Sequence, residues 1–91
     1  MEVTMDWRTN AGYIITNSIT VGNTEIVLGV HTENPDSFVT WLCRDKDYYY
    51  WGHYYSDLLS AQKDFLKRGL AEVRTIEQHK HRHKTYDEKE R

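Results

Sequence analysis

Five of the chain's seven tyrosines, one of its three tryptophans and a histidine crowd into the eight positions Tyr48–Tyr55. Aromatic side chains favour a pleated, half-buried surface, and each joins a large apolar area to a polar tip. The run therefore reads as a β-strand, with Tyr48, Tyr50 and Tyr54 on one face and Tyr49, Trp51, His53 and Tyr55 on the other. Gly52 interrupts it and predicts a bulge or the close approach of another element. A small domain needs one such face for its core. The second aromatic face is expected to meet a partner, so this surplus of rings bears on both fold and function.

The stretch before Asn10 alternates weakly through Val3, Met5 and Trp7. It reads as a short edge strand or an arm whose Trp7 docks on the core. Tyr13–Ile19 and Glu25–His31 read as strands joined by turn chemistry at Gly22 and Asn23. In the second of these, Ile26, Leu28 and Val30 share a face. Thr32–Ser37 holds the only proline and is the plainest loop. Phe38–Cys43 is the next strand, and Arg44–Asp47 is a connection of hairpin length leading into the aromatic strand.

After Tyr55 the apolar period lengthens from two to between three and four. Ser56 and Asp57 offer an N-cap. Leu58, Gln62, Phe65, Leu66, Leu70 and Val73 make an amphipathic stripe, which predicts a helix from about Asp57 to about His79. Lys63, Asp64, Lys67, Arg68, Glu72 and Arg74 read as its solvated face. Gly69 lies inside the helix, and close packing against Trp41 or Trp51 is the expected reason. The fold class is α+β: an antiparallel meander of three to four strands with one long C-terminal helix packed on one face. A single domain is expected over residues 1–79, with a charged, frayed tail over 80–91. Leu58, Phe65, Leu66, Leu70 and Val73 are expected on the sheet face that bears Ile26 and Leu28.

Ninety-one residues with 38% hydrophobic content suit one core. A net charge of −2 argues against a strongly basic nucleic-acid binder. The charge is uneven, with seven acids against three Lys/Arg over residues 1–55 and seven against nine over 56–91. The single cysteine, Cys43, cannot close an internal disulfide. No apolar run nears the ~20 residues of a membrane span, and no charged-then-apolar leader opens the chain. A cytoplasmic protein without membrane association is expected.

Catalytic chemistry has little to stand on. His31, His53 and Cys43 lie on three predicted strands, but nothing is placed to favour a thiolate. No phosphate loop and no nucleophile elbow occur. The residues predict no enzyme, no catalytic group and no cofactor. His79 and His83 would share a helix face while His81 would not, and two imidazoles among cations make a poor site, so no metal is expected. Exposed rings can stack on unpaired bases. Asp45, Asp47 and Asp57 flank them and repel phosphate, which ranks direct nucleic-acid binding below protein binding. The expected partner surface is Asp45, Asp47, Tyr48, Tyr49, Tyr50, Trp51, Tyr54, Tyr55 and Asp57, with rings as a hot spot and acids as its rim. The competing reading gives the rings to the core or to a homodimer.

Taken as a set, Glu25–Gly29, Phe38–Trp41 and Tyr49–Tyr54, with the pairs Asp57-Leu58 and Asp64-Phe65, resemble small proteins carried on conjugative elements and phages of Gram-positive bacteria. The likeness spans residues 13–74 and leaves out both ends. Such proteins include inhibitors of host defence, among them anti-CRISPR proteins that bind an effector nuclease. The resemblance implies a non-enzymatic mobile-element protein that binds and inhibits a host protein or ribonucleoprotein, most concretely a CRISPR effector nuclease. It assigns no individual residue. An accessory nucleic-acid-binding protein using sheet aromatics, or a structural homodimer, are the alternatives.

Overall fold

The computed structural model describes residues 7–83, with side chains described as far as Lys80. Five strands and one helix follow in order: β1 (Thr9–Asn10), β2 (Tyr13–Val21), β3 (Thr24–His31), β4 (Phe38–Arg44), β5 (Tyr48–Tyr55) and α1 (Leu58–His83). Short connections leave each strand beside the one before it. The result is one antiparallel meander in the order β1-β2-β3-β4-β5, curved into a half-barrel. The α+β class and the C-terminal helix are as expected. The strand count is five rather than three to four, because Thr9 and Asn10 fold back to pair with Ile14 and Tyr13. Ala11 and Gly12 make that reversal at positive φ. Trp7 stays exposed beside it and does not dock.

The sheet carries a core on each face. On one, Ile26, Leu28 and Leu42 meet Ala61 and Phe65 of α1, with Val21, Phe38, Tyr50 and Tyr55 packed around them. On the other, Val27, Val39, Trp41 and Cys43 gather with Tyr13, Ile15 and Tyr49. β3 and β4 are buried on both sides, which is why their sequences run apolar almost without a break. A bulge in β2 between Ile15 and Asn17 changes which face each later residue takes. Strict alternation would group Ile15 with Ile19. Instead Ile15 joins the second core and Ile19 lies against α1.

α1 begins where Asp57 Oδ2 accepts a hydrogen bond from the Ser60 N–H at 2.8 Å, an N-cap. That bond holds the Asp57 carboxyl below its usual pKa. The helix reaches His83 rather than His79. No glycine or proline follows Gly69 to stop it, and the basic residues from His79 onward suit the negative end of its dipole. Among the described residues no helix is long and apolar enough to cross a membrane. The rest of the expected tail, from residue 84, lies outside the described residues.

The buried side of α1 differs from the expected stripe. Phe65 packs on Ile26 and Leu28 as foreseen, but its companions are Ala61 and Gly69. Leu58, Leu66, Leu70 and Val73 remain exposed. Small residues at 61 and 69 let the helix backbone sit low on the sheet, and the leucines are displaced to its flank. Gly69 is needed for this, although the neighbour is Ile19 and not a tryptophan. A Cβ at Gly69 would lie 2.7 Å from Ile19 Cδ1, too close without movement.

Candidate functional site

β5 pairs Tyr48 with Arg44, Tyr50 with Leu42, His53 with Thr40 and Tyr55 with Phe38. Trp51 and Gly52 together therefore oppose Trp41 alone, which is a bulge. Tyr48, Tyr50, His53 and Tyr55 take the α1 side of the sheet, while Tyr49 and Tyr54 take the other. The expected alternation is thus corrected: Tyr54 parts from Tyr48 and Tyr50, and His53 and Tyr55 part from Tyr49. Gly52 meets both of its expectations, since a Cβ there would also lie 2.6 Å from Trp41 Nε1. Trp51 adopts φ +52° and is 71% exposed. That conformation costs a residue with a Cβ about 1–2 kcal/mol.

A polar cluster beneath the bulge ties α1 to β4 and β5. Arg68 Nη2 donates to the Trp51 carbonyl at 2.6 Å. Its Nη1 donates to the carbonyl and the hydroxyl of Thr40 at 3.2 and 3.0 Å. The Thr40 hydroxyl donates to Asp64 Oδ2 at 2.6 Å, and His53 Nδ1 lies 2.9 Å from the same oxygen. Burial opposes charge on Asp64, yet the bonds from Thr40 and His53 and the field of Arg68 hold its carboxyl below the usual range. Burial lowers the pKa of Arg68, with Asp64 acting against it. Burial and then Asp64 push the Tyr55 phenol up. The Thr40 hydroxyl is wholly buried and bonds the Asp64 carboxylate rather than the His53 imidazole.

Arg8 plays the matching part on the other face. Its Nη1 and Nη2 donate to the two Glu25 carboxylate oxygens at 2.7 and 2.8 Å. Nε donates to Tyr49 Oη at 2.8 Å, and Nη2 also reaches Cys43 Sγ at 3.4 Å. The hydrogen bond from Arg8 holds Glu25 below the usual carboxylate range against the effect of burial. Burial pushes the Cys43 thiol and the Tyr49 phenol up. Trp41 sits among Tyr13, Tyr49 and Tyr54, with ring centroids 5.6, 5.4 and 6.3 Å away. The second aromatic face therefore largely forms a core of its own, with Tyr54 left open at its margin.

The nine expected partner residues accordingly separate. Tyr49, Tyr50 and Tyr55 are half-buried and belong to the two cores. Tyr54 is 60% exposed but lies on the face opposite Tyr48. Asp57 is at the far end of β5 and caps the helix. Tyr48, Tyr50 and Trp51 form one row, with Tyr48 stacked on Tyr50 and Trp51 edge-on to it, both at 5.2 Å. Asp45 and Asp47 stand exposed in the turn just before this row, where Asp45 and Lys46 take φ +53° and +68°. Those positive angles suit the type I′ hairpin turn closed by the Asp47 N–H to the Arg44 carbonyl.

Four residues organise the site without having been expected there: Arg8 and Thr40, which had no assigned role, and Asp64 and Arg68, which were expected on the solvated face of α1 and instead bond the sheet. A signal existed for one of them. Glu25 inside an apolar strand calls for a cation, and Arg8 is among only three Lys/Arg in the first 55 residues. Asp64 and Arg68 are four apart and read equally well as a solvated helix pair. Among the described residues, no group of three His, Cys, Asp or Glu side chains is arranged to hold a metal ion. Comparison with family models, with curated proteins and with solved structures gives no match to this chain.

Proposed function

We propose that this chain is a non-enzymatic binding protein whose β5 edge, centred on Trp51, docks on a basic surface of a macromolecular partner. Trp51 is the observation that carries the reading. A large ring is held out in solvent at positive φ, with its carbonyl fixed by Arg68. Backbone strain of this kind concentrates at sites of function. Tyr48 and Tyr50 extend the ring surface, and such side chains lose little conformational entropy on docking. β5 is the last strand of the sheet, so its outer backbone groups offer further pairing to an extended segment. Asp45 and Asp47 supply charge complementary to a basic partner.

The sequence resemblance adds a mobile-element origin and the partner class, a host-defence ribonucleoprotein acting in the cytoplasm. A CRISPR effector nuclease is its most concrete form, because the nucleic-acid channel of such an enzyme is basic. The same aromatic row would stack on unpaired bases, but the two aspartates beside it disfavour phosphate. The test is a titration of the purified protein against a guide-loaded effector, with a single-stranded oligonucleotide in parallel. Trp51→Ala is expected to weaken effector binding by about 2 kcal/mol or more while changing the unfolding midpoint little. Asp45→Lys with Asp47→Lys should chiefly slow association and alter its salt dependence. Affinity for the oligonucleotide alone would transfer the row to nucleic acid, and full binding by Trp51→Ala would remove β5 from the interface.

A further inference from the structure

The apolar arc of α1 is wider than the sheet covers. Leu59 is 75% and Leu66 63% exposed, and Leu70, Val73 and Ile19 of β2 are open beside them. Leu59, Leu66 and Val73 recur every seven residues and so line one side of the helix. Along the first half of this row a groove of about 650 Å3 opens between α1 and β2–β3. Its walls include Asn17, Leu28, Leu59, Gln62, Phe65 and Leu66. The second half of the row carries Leu70 and Val73 as a ridge.

We infer that a second copy of this chain docks here, α1 against α1 in antiparallel register about a two-fold axis at Leu66. Leu59 and Val73 are equidistant from Leu66 in sequence, so the axis brings them opposite one another, and likewise Gln62 and Leu70. The ridge of each copy then lies over the groove of the other. One surface supplies both the cavity and the side chains that fill it, as an isologous contact requires. The exposed apolar row amounts to on the order of 500 Å2 per copy, in the range of the largest apolar patch on a monomer, which often marks a binding surface. With its polar margins it approaches the ~800 Å2 per partner of a stable interface. Lys63, Lys67 and Arg74 border the row in both copies, so the attraction is apolar and strengthens as salt screens these charges. Asp64 and Arg68 hold β4 and β5 from the opposite flank of α1, so this pairing leaves the Trp51 row free.

Sedimentation equilibrium across the micromolar range, at low and high salt, tests the pairing. A reversible dimer is expected, tighter at high salt. Leu66→Glu should shift its dissociation constant at least about tenfold toward monomer while still unfolding cooperatively. Mild oxidation of Leu66→Cys should trap a disulfide-linked dimer across the axis. Thr75→Cys, on the far side of the helix, should give none. A monomer at every concentration, or a dimer that survives Leu66→Glu, overturns the inference.

Discussion

Glu25 shows how a single residue sets conditions for the fold. Its side chain is 8% exposed, and the charge is tolerable there because Arg8 meets both oxygens. Arg8→Met would take the cation from that buried carboxylate and leave it the Ser18 hydroxyl and the field of Lys46, at a cost of about 1–3 kcal/mol. Glu25 and Asp64 both hold their protons less tightly in the folded chain than in the unfolded one. The unfolded state therefore binds more protons in acid. The stability these two groups contribute is complete above their unfolded values near ~4 and is lost as pH falls through their lower folded values. Urea unfolding across this acid range should show the loss, and Glu25→Gln should flatten it. An acid dependence unchanged in Glu25→Gln would remove Glu25 from that role.

Among the elements, α1 is where pattern and packing part company. Its stripe marks a helix correctly, but hydrophobic spacing leaves open which part of a wide apolar arc faces the sheet. Asp64 and Arg68 settle the rotation by bonding Thr40 and the Trp51 carbonyl. Phe65→Ala is accordingly expected to cost about 3–5 kcal/mol, as a large core ring does. Leu66→Ala should fall within about 0.5 kcal/mol of the parent when measured dilute enough to keep the chain monomeric. Chemical denaturation of the two variants decides between rotations. A large loss for Leu66→Ala with a small one for Phe65→Ala would place the other side of α1 on the sheet.

Across the whole molecule, consecutive strands pair with one another and α1 lies across β2 to β5. Arg8 also crosses the sheet, reaching β3, β4 and β5 from ahead of β1. At the other end, Ile76 comes against the β2–β3 turn at Gly22. Both cores and both polar clusters lie between these two residues. Deletion of Thr85–Arg91 is therefore expected to leave the thermal midpoint and the partner titration unchanged. A loss of partner affinity with stability intact would make that charged stretch a recognition element.

Local rules determined much of this protein from the sequence alone. Turn residues, β-branched runs and the change of period after Tyr55 sufficed for the class, the order of the main strands and the place of the helix. They also marked Gly52 as special and Asp57 as a cap, because backbone preferences and capping act over a few residues. Tertiary structure alone decided which rings are free. Two bulges, at Ile15–Asn17 and at Trp51-Gly52, each shift the strand by one position and so exchange the faces of every residue beyond them. Face assignment in a strand has period two, so a one-residue irregularity reverses it. The rotation of α1 and the service of Arg8 and Arg68 as anchors likewise depend on partners 17 to 41 positions away in sequence. Such pairings follow from which surfaces meet in three dimensions, and the local pattern of a chain carries no record of that.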